Sequence, residues 1–190
     1  MRLDRYWEGE YPKVRAKFIP VNCQQCGNAP CEAVCPVYAA YGAADGLNGQ
    51  VYQRCIGTRY CNVNCPYRAR VFNWFNPEWP EPLGQQLNPD ISVRTAGVID
   101  KCTFCVQRIR EVKEKASDEE RRVRDGEIQP ACVQTCPTGA ITFGDLKDLT
   151  TKVSRLSRSP RRYRLLEELN TEPAVIYLKA VRENAEPERA

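Results

Sequence analysis

Cys23-Gln24-Gln25-Cys26-Gly27-Asn28-Ala29-Pro30-Cys31-Glu32-Ala33-Val34-Cys35-Pro36 is the stretch on which the reading of this chain turns. Its thiols follow the spacing C-x2-C-x4-C-x3-C-P. The last part, C-x3-C-P, returns as Cys61-Asn62-Val63-Asn64-Cys65-Pro66 and as Cys132-Val133-Gln134-Thr135-Cys136-Pro137. Cys55 precedes the second copy, giving C-x5-C-x3-C-P. Cys102 and Cys105 precede the third, giving C-x2-C-x26-C-x3-C-P. These motifs use all 11 Cys of the 190 residues.

The spacing points to iron–sulfur clusters. Two Cys separated by two residues present thiolates to one cubane from a tight loop, and a third a few residues on wraps the same cluster. A fourth, one helical turn later, ligates the other cluster in two-cluster ferredoxins. Proline after that Cys has a fixed φ and no N–H, which steers the chain away. Such motifs therefore work in pairs. The competing reading is zinc, which uses C-x2–4-C knuckles. Cys23/Cys26 and Cys102/Cys105 have that spacing, but the repeated C-x3-C-P is foreign to it. A disulfide framework fits less well still: the Cys count is odd, and at about 6% it falls short of the usual disulfide scaffold.

The second motif lacks a ligand. Against the regular C-x2-C-x2-C-x3-C-P, Thr58 stands where the second Cys belongs. A hydroxyl is a hard donor and a poor partner for soft iron–sulfur iron. The expectation is a [3Fe–4S] cluster, the alternative a four-iron cluster with oxygen or water on one iron. Pairing the first two motifs assigns Cys23, Cys26, Cys31 and Cys65 to a [4Fe–4S] cluster. Cys35, Cys55 and Cys61 then hold the [3Fe–4S]. Cys102, Cys105 and Cys132 supply three ligands of another cluster, and Cys136 is left for a further one.

Composition narrows the rest. With no His, imidazole bases, Ser-His-Asp triads and mixed zinc sites are excluded. Hydrophobic residues make up 42% and Pro numbers 14, with a mean hydropathy of −0.56. This is a loop-rich chain that needs something besides a large apolar core. The net charge of +4 is too mild to argue for nucleic acid. No apolar run approaches the ~20 residues of a membrane span. The first residues, Met1 to Glu8, lack the apolar core of a signal peptide.

The chain resembles the four-cluster iron–sulfur subunits of the complex iron–sulfur molybdoenzyme group. It is most similar to the iron–sulfur module of alternative complex III and the related quinone reductase complex. The stretches that carry the resemblance are Asp4–Gly9, Pro20–Cys26, Arg54–Cys61, Arg70–Phe75, Lys101–Cys105, Cys136–Ile141 and Leu165–Asn170. Thr58 is itself a mark of that branch. The family has four Cys motifs, and three are present here. The resemblance implies that the absent first motif completes the cluster on Cys102, Cys105 and Cys132, and holds another together with Cys136. The chain is therefore expected to be a truncated or separately encoded portion of a longer subunit. The rival is that Cys102, Cys105, Cys132 and Cys136 regroup around one cluster.

The resemblance further implies electron transfer between a membrane quinol-oxidising subunit and a haem or other redox partner. The partners would be other subunits of a membrane-bound redox complex: that membrane subunit, a multihaem cytochrome and a molybdoenzyme-like subunit. The chain would sit peripherally on the periplasmic side. A molybdopterin reductase subunit, carrying electrons the other way, stays open, as does a zinc-binding interaction module. No nucleophile, base or substrate pocket is readable, so substrate chemistry is expected in other subunits.

The fold expected is α+β: a tandem bacterial ferredoxin-like, [4Fe–4S] cluster-binding fold with long loop insertions. Residues 1–100 form a two-cluster unit with a hairpin and an aromatic loop. Residues 101–145 form a half unit split by a charged insertion, and 146–190 carry C-terminal helices, a strand and a polar tail. Asp45-Gly46 and Asn48-Gly49 mark turns of a hairpin over 41–52, with Val51 beginning the return strand. Residues 66–92, with Tyr67, Phe72, Trp74, Phe75 and Trp79, read as a loop with no regular element, either packed over a cluster or docking a partner. Val106, Ile109 and Val112 mark an amphipathic helix, and Lys113–Arg124 its solvated end and a loop. A helix is expected from Gly144-Asp145 to Leu156. Another is expected from Ser159-Pro160 to Leu169, and a strand over Ala174–Val181. Lys101 and Arg54, each just before a Cys, read as ordinary surface charge, the alternative being that they tune potential by nearby charge; the cluster Arg155, Arg158, Arg161, Arg162 and Arg164 reads as a solvated face rather than an anion site.

Overall fold

The structure is a computed structural model describing residues 2–181; the expected tail at 182–190 lies outside the described residues. It begins with a hairpin, β1 (Arg2–Glu8) against β2 (Arg15–Val21), with Arg2 opposite Val21 and Glu8 opposite Arg15. Strand alternation sets Leu3, Trp7 and Phe18 on one face, all exposed. The sequence reading missed this hairpin, because its arms mix charges with aromatics and carry no clean period of two.

β2 leads into the first Cys loop and α1 (Pro30–Ala33), which starts on a proline whose missing N–H a helix start tolerates. Then follow β3 (Ala40–Gly42) and β4 (Asn48–Gln50), antiparallel. The second motif repeats the plan. α2 (Tyr60–Val63) leads to β5 (Arg70–Phe72), which pairs with β6 (Ile99–Lys101) across the long aromatic loop. In the first two copies the C-x3-C-P helix is followed by a turn and a strand; the third copy repeats the helix and the turn. The N–H of Tyr38, Arg68 or Gly139 bonds the carbonyl of Cys35, Cys65 or Cys136 at 3.2, 3.0 and 3.2 Å. Each of those residues has a positive φ, of 51°, 47° and 62°. After the third turn no strand is assigned before residue 162.

α3 (Val106–Asp118) buries Ile109 and Ala116, the amphipathic helix expected there. α4 (Ala131–Gln134) carries Cys132. α5 (Lys152–Ser157) is capped by the Thr151 hydroxyl, which accepts from Ser154 N–H at 3.2 Å. β7 (Arg162–Tyr163) and β8 (Tyr177–Leu178) close the described chain.

Several local expectations are corrected. The helix from Ser159-Pro160 does not form; the chain turns into β7, whose Tyr163 stacks on Tyr177 of β8 with centroids 5.5 Å apart. Left-handed Leu166 and Asn170 then bracket a single 3-10 turn over Glu167–Leu169. A proline at a helix start is a local signal, and the tertiary need to return to the first motif overrides it. For the same reason the strand at 174–181 shrinks to two residues: upstream of them, Ala174 N–H bonds Gln24 carbonyl at 2.9 Å. The earlier helix starts at Lys152 rather than Gly144, where the Thr151 cap lies. In the β3–β4 hairpin the return strand starts at Asn48 rather than Val51, and the turn is at Gly46, φ 83°. Gly49 lies inside that strand opposite Tyr41, where a Cβ would meet the Tyr41 ring at 2.5 Å. The 66–92 stretch does hold regular elements, β5 and a 3-10 turn at Leu83–Gln86.

The core is thin. Its central cluster is Cys31, Cys61 and Ile99, packed by Ala29, Val34, Cys55 and Phe72. Thiols stand where a domain of this size normally places large aliphatics.

Candidate metal centre

Three loops of similar backbone form carry the leading thiols. In each, the residue before the second ligand position is left-handed: Gln25 at φ 49°, Gly57 at 74° and Phe104 at 56°. This conformation turns the chain sharply enough for both ends of C-x2-C to face one side. Gly57 is required for a second reason, since a Cβ there would lie 2.5 Å from the Gly97 carbonyl oxygen. Thr58 therefore occupies the same loop position as Cys26 and Cys105, and its side chain is exposed.

The electrostatic neighbours of each thiol sort them into groups. Cys26 feels Cys23, Cys31 and Cys65. Cys61 feels Cys35 and Cys55. Cys132 feels Cys102 and Cys105. Burial pushes the Cys26 thiol up to about 11, against the bond from Thr171. It also raises Cys31 and Cys61, where Arg70 acts in the opposite sense. Cys136 stands apart: the Thr138 hydroxyl and the N–H groups of Ala140, Thr138 and Ile141 pull it down to about 7. Burial pushes Cys35 up, but the N–H groups of Ala40, Val37 and Ala39 outweigh it and leave it lowered.

Further N–H donors aim at sulfur. Ala39 donates to Cys35 Sγ at 3.1 Å, Ile99 to Cys55 Sγ at 3.4 Å and Ala131 to Cys105 Sγ at 3.4 Å. Asn22 Nδ2 donates to Cys102 Sγ at 3.7 Å. A donor set of thiols alone, with N–H bonds to the sulfurs, fits iron–sulfur clusters. Among the described residues no three Cys, Asp or Glu groups converge closely enough to hold a single metal ion. The separate corners of a cluster keep ligand sulfurs further apart than one ion does.

Two cations lie inside this array. Arg70 is 1% exposed. Burial pushes it down, but Cys31, Cys61 and Cys23 outweigh that and hold it raised. Lys101 is 9% exposed, which corrects its reading as surface charge: its place in β6, paired to Arg70, carries it inward. Burial pushes Lys101 below its ordinary value. Neither makes an ion pair with a carboxylate among the described residues. Sequence reasoning also missed Asn48, taken for a turn residue, and Gln25. Both are buried polar links in the same network, and nothing in residue type or spacing marks them.

A C-terminal strap covers the first group. Gly27 and Asn28 N–H bond the carbonyls of Glu172 and Thr171 at 3.0 and 3.2 Å. Tyr67 and Thr171 hydroxyls share a 2.6 Å bond, and Tyr177 donates to Pro20 carbonyl at 2.8 Å. Around the second motif the surface is apolar instead: Ile56, Tyr60, Val63, Val71, Trp74 and Phe75 are all exposed. Arg59 stacks over Trp74 and Phe72 at 4.9 and 5.3 Å.

A family profile described as a 4Fe-4S dicluster domain matches residues 14–80. The chain is 46% identical over 172 residues to the menaquinone reductase iron–sulfur cluster-binding subunit of Nitratidesulfovibrio vulgaris, covering 88% of this chain and 68% of that one. It is 39% identical over 173 residues to the Hdr-like menaquinol oxidoreductase iron–sulfur subunit 1 of Archaeoglobus fulgidus, covering 88% and 60%. With a selenate reductase subunit of Mesobacillus selenatarsenatis it shares 37% over 180 residues, covering 90% and 58%. The chain thus spans between 58% and 68% of the length of these relatives.

Proposed function

We propose, from the premise that this chain belongs to the family of iron–sulfur cluster-binding subunits typified by that of menaquinone reductase, that it carries single electrons within a quinone oxidoreductase complex. The electrons would pass between a membrane quinol-oxidising subunit and a haem or other redox partner, in a complex of the alternative complex III or quinone reductase type. The chain would sit peripherally on the periplasmic side; among the described residues no helix is long and apolar enough to cross a membrane. The observation that carries the reading is the sorting of thiols into groups within one thin core.

The ligand assignment follows the same grouping. Cys23, Cys26, Cys31 and Cys65 would hold a [4Fe–4S] cluster. Cys35, Cys55 and Cys61 would hold a [3Fe–4S], supported by the exposed Thr58 in an intact ligand loop. Cys102, Cys105 and Cys132 would hold a third with a ligand from outside this chain, and Cys136 would serve a further one. When bound, the clusters supply one-electron storage; the chain supplies ligands, insulation and charge. The exposed apolar surface at Ile56, Val71, Trp74 and Phe75 supports docking of a redox partner beside the second group. A second reading, the electron-transfer subunit of a molybdopterin reductase, draws support from the selenate reductase relative.

Anaerobic purification with iron counting and electron paramagnetic resonance tests this. The expected result is a brown protein with a [3Fe–4S] signal when oxidised and [4Fe–4S] signals when reduced. Thr58→Cys should abolish the first signal and raise the iron count. A colourless protein, or an oxidised sample silent in wild type, overturns the respective assignment.

A further inference from the structure

Arg70, Asn48, Gln25 and Lys101 form one buried hydrogen-bonded chain that touches each thiol group. Arg70 donates through Nη2 to Asn48 Oδ1 and through Nη1 to Gln50 Oε1, both at 2.6 Å. The Cys31 thiol points at the same Asn48 oxygen, 3.7 Å away. Asn48 N–H donates to Gln25 Oε1 at 2.9 Å, and Gln25 Nε2 donates to Cys102 carbonyl at 2.8 Å. Lys101 Nζ donates to the carbonyls of Asn48 and, at 3.2 Å, Cys102. The guanidinium interacts electrostatically with Cys31 and Cys61, one from each of the first two groups. The ammonium interacts with Cys23 and Cys31 of the first group and with Cys102 of the third, whose carbonyl it also bonds.

We propose that Arg70 and Lys101 are built-in counter-charges that raise the reduction potentials of adjacent clusters in pairs, Arg70 for the first and second and Lys101 for the first and third. A buried cation is stable only where negative charge or hydrogen bonds compensate it. Neither residue has a carboxylate partner among the described residues; neutral amide and carbonyl oxygens bond both, and thiolate-ligated clusters would supply the opposite charge. Each added electron makes a cluster more negative, and a fixed cation at short range in a low dielectric favours that state. Because each cation faces two groups, it also offsets the repulsion between electrons held on neighbouring sites. Asn48 fixes both, accepting from Arg70 with its side chain and from Lys101 with its carbonyl.

This inference rests on the cluster-binding reading, and the test separates the two. Wild type, Arg70→Gln, Arg70→Lys and Lys101→Gln are titrated with dithionite and mediators, each cluster being followed by paramagnetic resonance. Arg70→Gln should lower the first two potentials, with the reduced-to-oxidised ratio at fixed poise falling about tenfold, or 59 mV for one electron. The third cluster should stay put. Lys101→Gln should lower the first and third and spare the second. Arg70→Lys, which keeps the charge, should recover most of the loss. Should Arg70→Gln fail to retain iron, the Lys101→Gln pattern decides by the same criterion. Absence of cluster signals in wild type overturns the underlying reading. Intact signals with unmoved potentials, or all clusters shifting together in either variant, overturn the counter-charge proposal alone.

Discussion

The two ends of the cysteine array are built to different standards. In the first two motifs Cys23, Cys31 and Cys61 are buried, at 7 to 8% exposure, and Cys26, Cys35, Cys55 and Cys65 partly so. Two strand pairs flank them, and a C-terminal strap covers the first group. Around Cys102, Cys105, Cys132 and Cys136 every thiol is partly exposed, and among the described residues no strand follows the last turn before residue 162. Yet the backbone of the third copy repeats that of the first two, from left-handed Phe104 to left-handed Gly139. The ligand loops are thus encoded locally, whereas their burial depends on a second motif folding against them. The first two copies supply this to each other.

Removing one thiol from each region should break the symmetry most sharply. Cys31→Ala takes out a proposed ligand that is also part of the central buried cluster, so the first cluster should be lost and cooperative melting with it. Cys132→Ala should leave the first two clusters and their signals intact. Iron counting and thermal melts read both. Next comes the glycine pair. Gly57→Ala combines a left-handed φ with a 2.5 Å clash against backbone, costing about 2–4 kcal/mol and weakening the second cluster's signal. Gly139→Ala meets open space, so only the left-handed penalty of about 1–2 kcal/mol applies. A smaller contrast tests the strap. Thr171→Val removes the 2.6 Å bond to Tyr67 and should cost about 1 kcal/mol in a melt. Thr135→Val in the third motif, an exposed hydroxyl bonded to Ala131 carbonyl, should stay within about 0.5 kcal/mol.

Sequence legibility follows the same divide between local and tertiary. The sharp Cys loops, the C-x3-C-P helices and the helix from Val106 were readable because each depends on a few neighbouring residues. The β1–β2 hairpin, the β5–β6 ladder and the strap were not, because each pairs segments whose own patterns are weak. The ladder joins Arg70 to Lys101 across an aromatic loop. Lys101 shows what this hides. By residue type and position it is a charge beside a ligand, and its burial is decided by a strand partner far away in the chain. Arg70 gave no sign of its burial, since an arginine close to Arg68 in a Pro-rich stretch gives no reason to place it in the core.

The finest difference between the regions lies in single thiols. Cys136 is held low, at about 7, first by the Thr138 hydroxyl and then by a run of N–H groups, an arrangement that favours the thiolate. In the isolated chain without bound cluster it should react with iodoacetamide faster than the buried Cys26. Its rate should climb as pH rises through about 7 and then level off, because the thiolate fraction saturates above that value. Thr138→Val removes the largest contribution and should move that climb toward higher pH, with N–H donors still leaving it below an ordinary thiol. Cys26, pushed up by burial to about 11, should resist labelling across the same range. Mass spectrometry of the labelled peptides gives both profiles. Equal labelling of Cys136 and Cys26 at neutral pH would mean that the third motif is as well covered as the first.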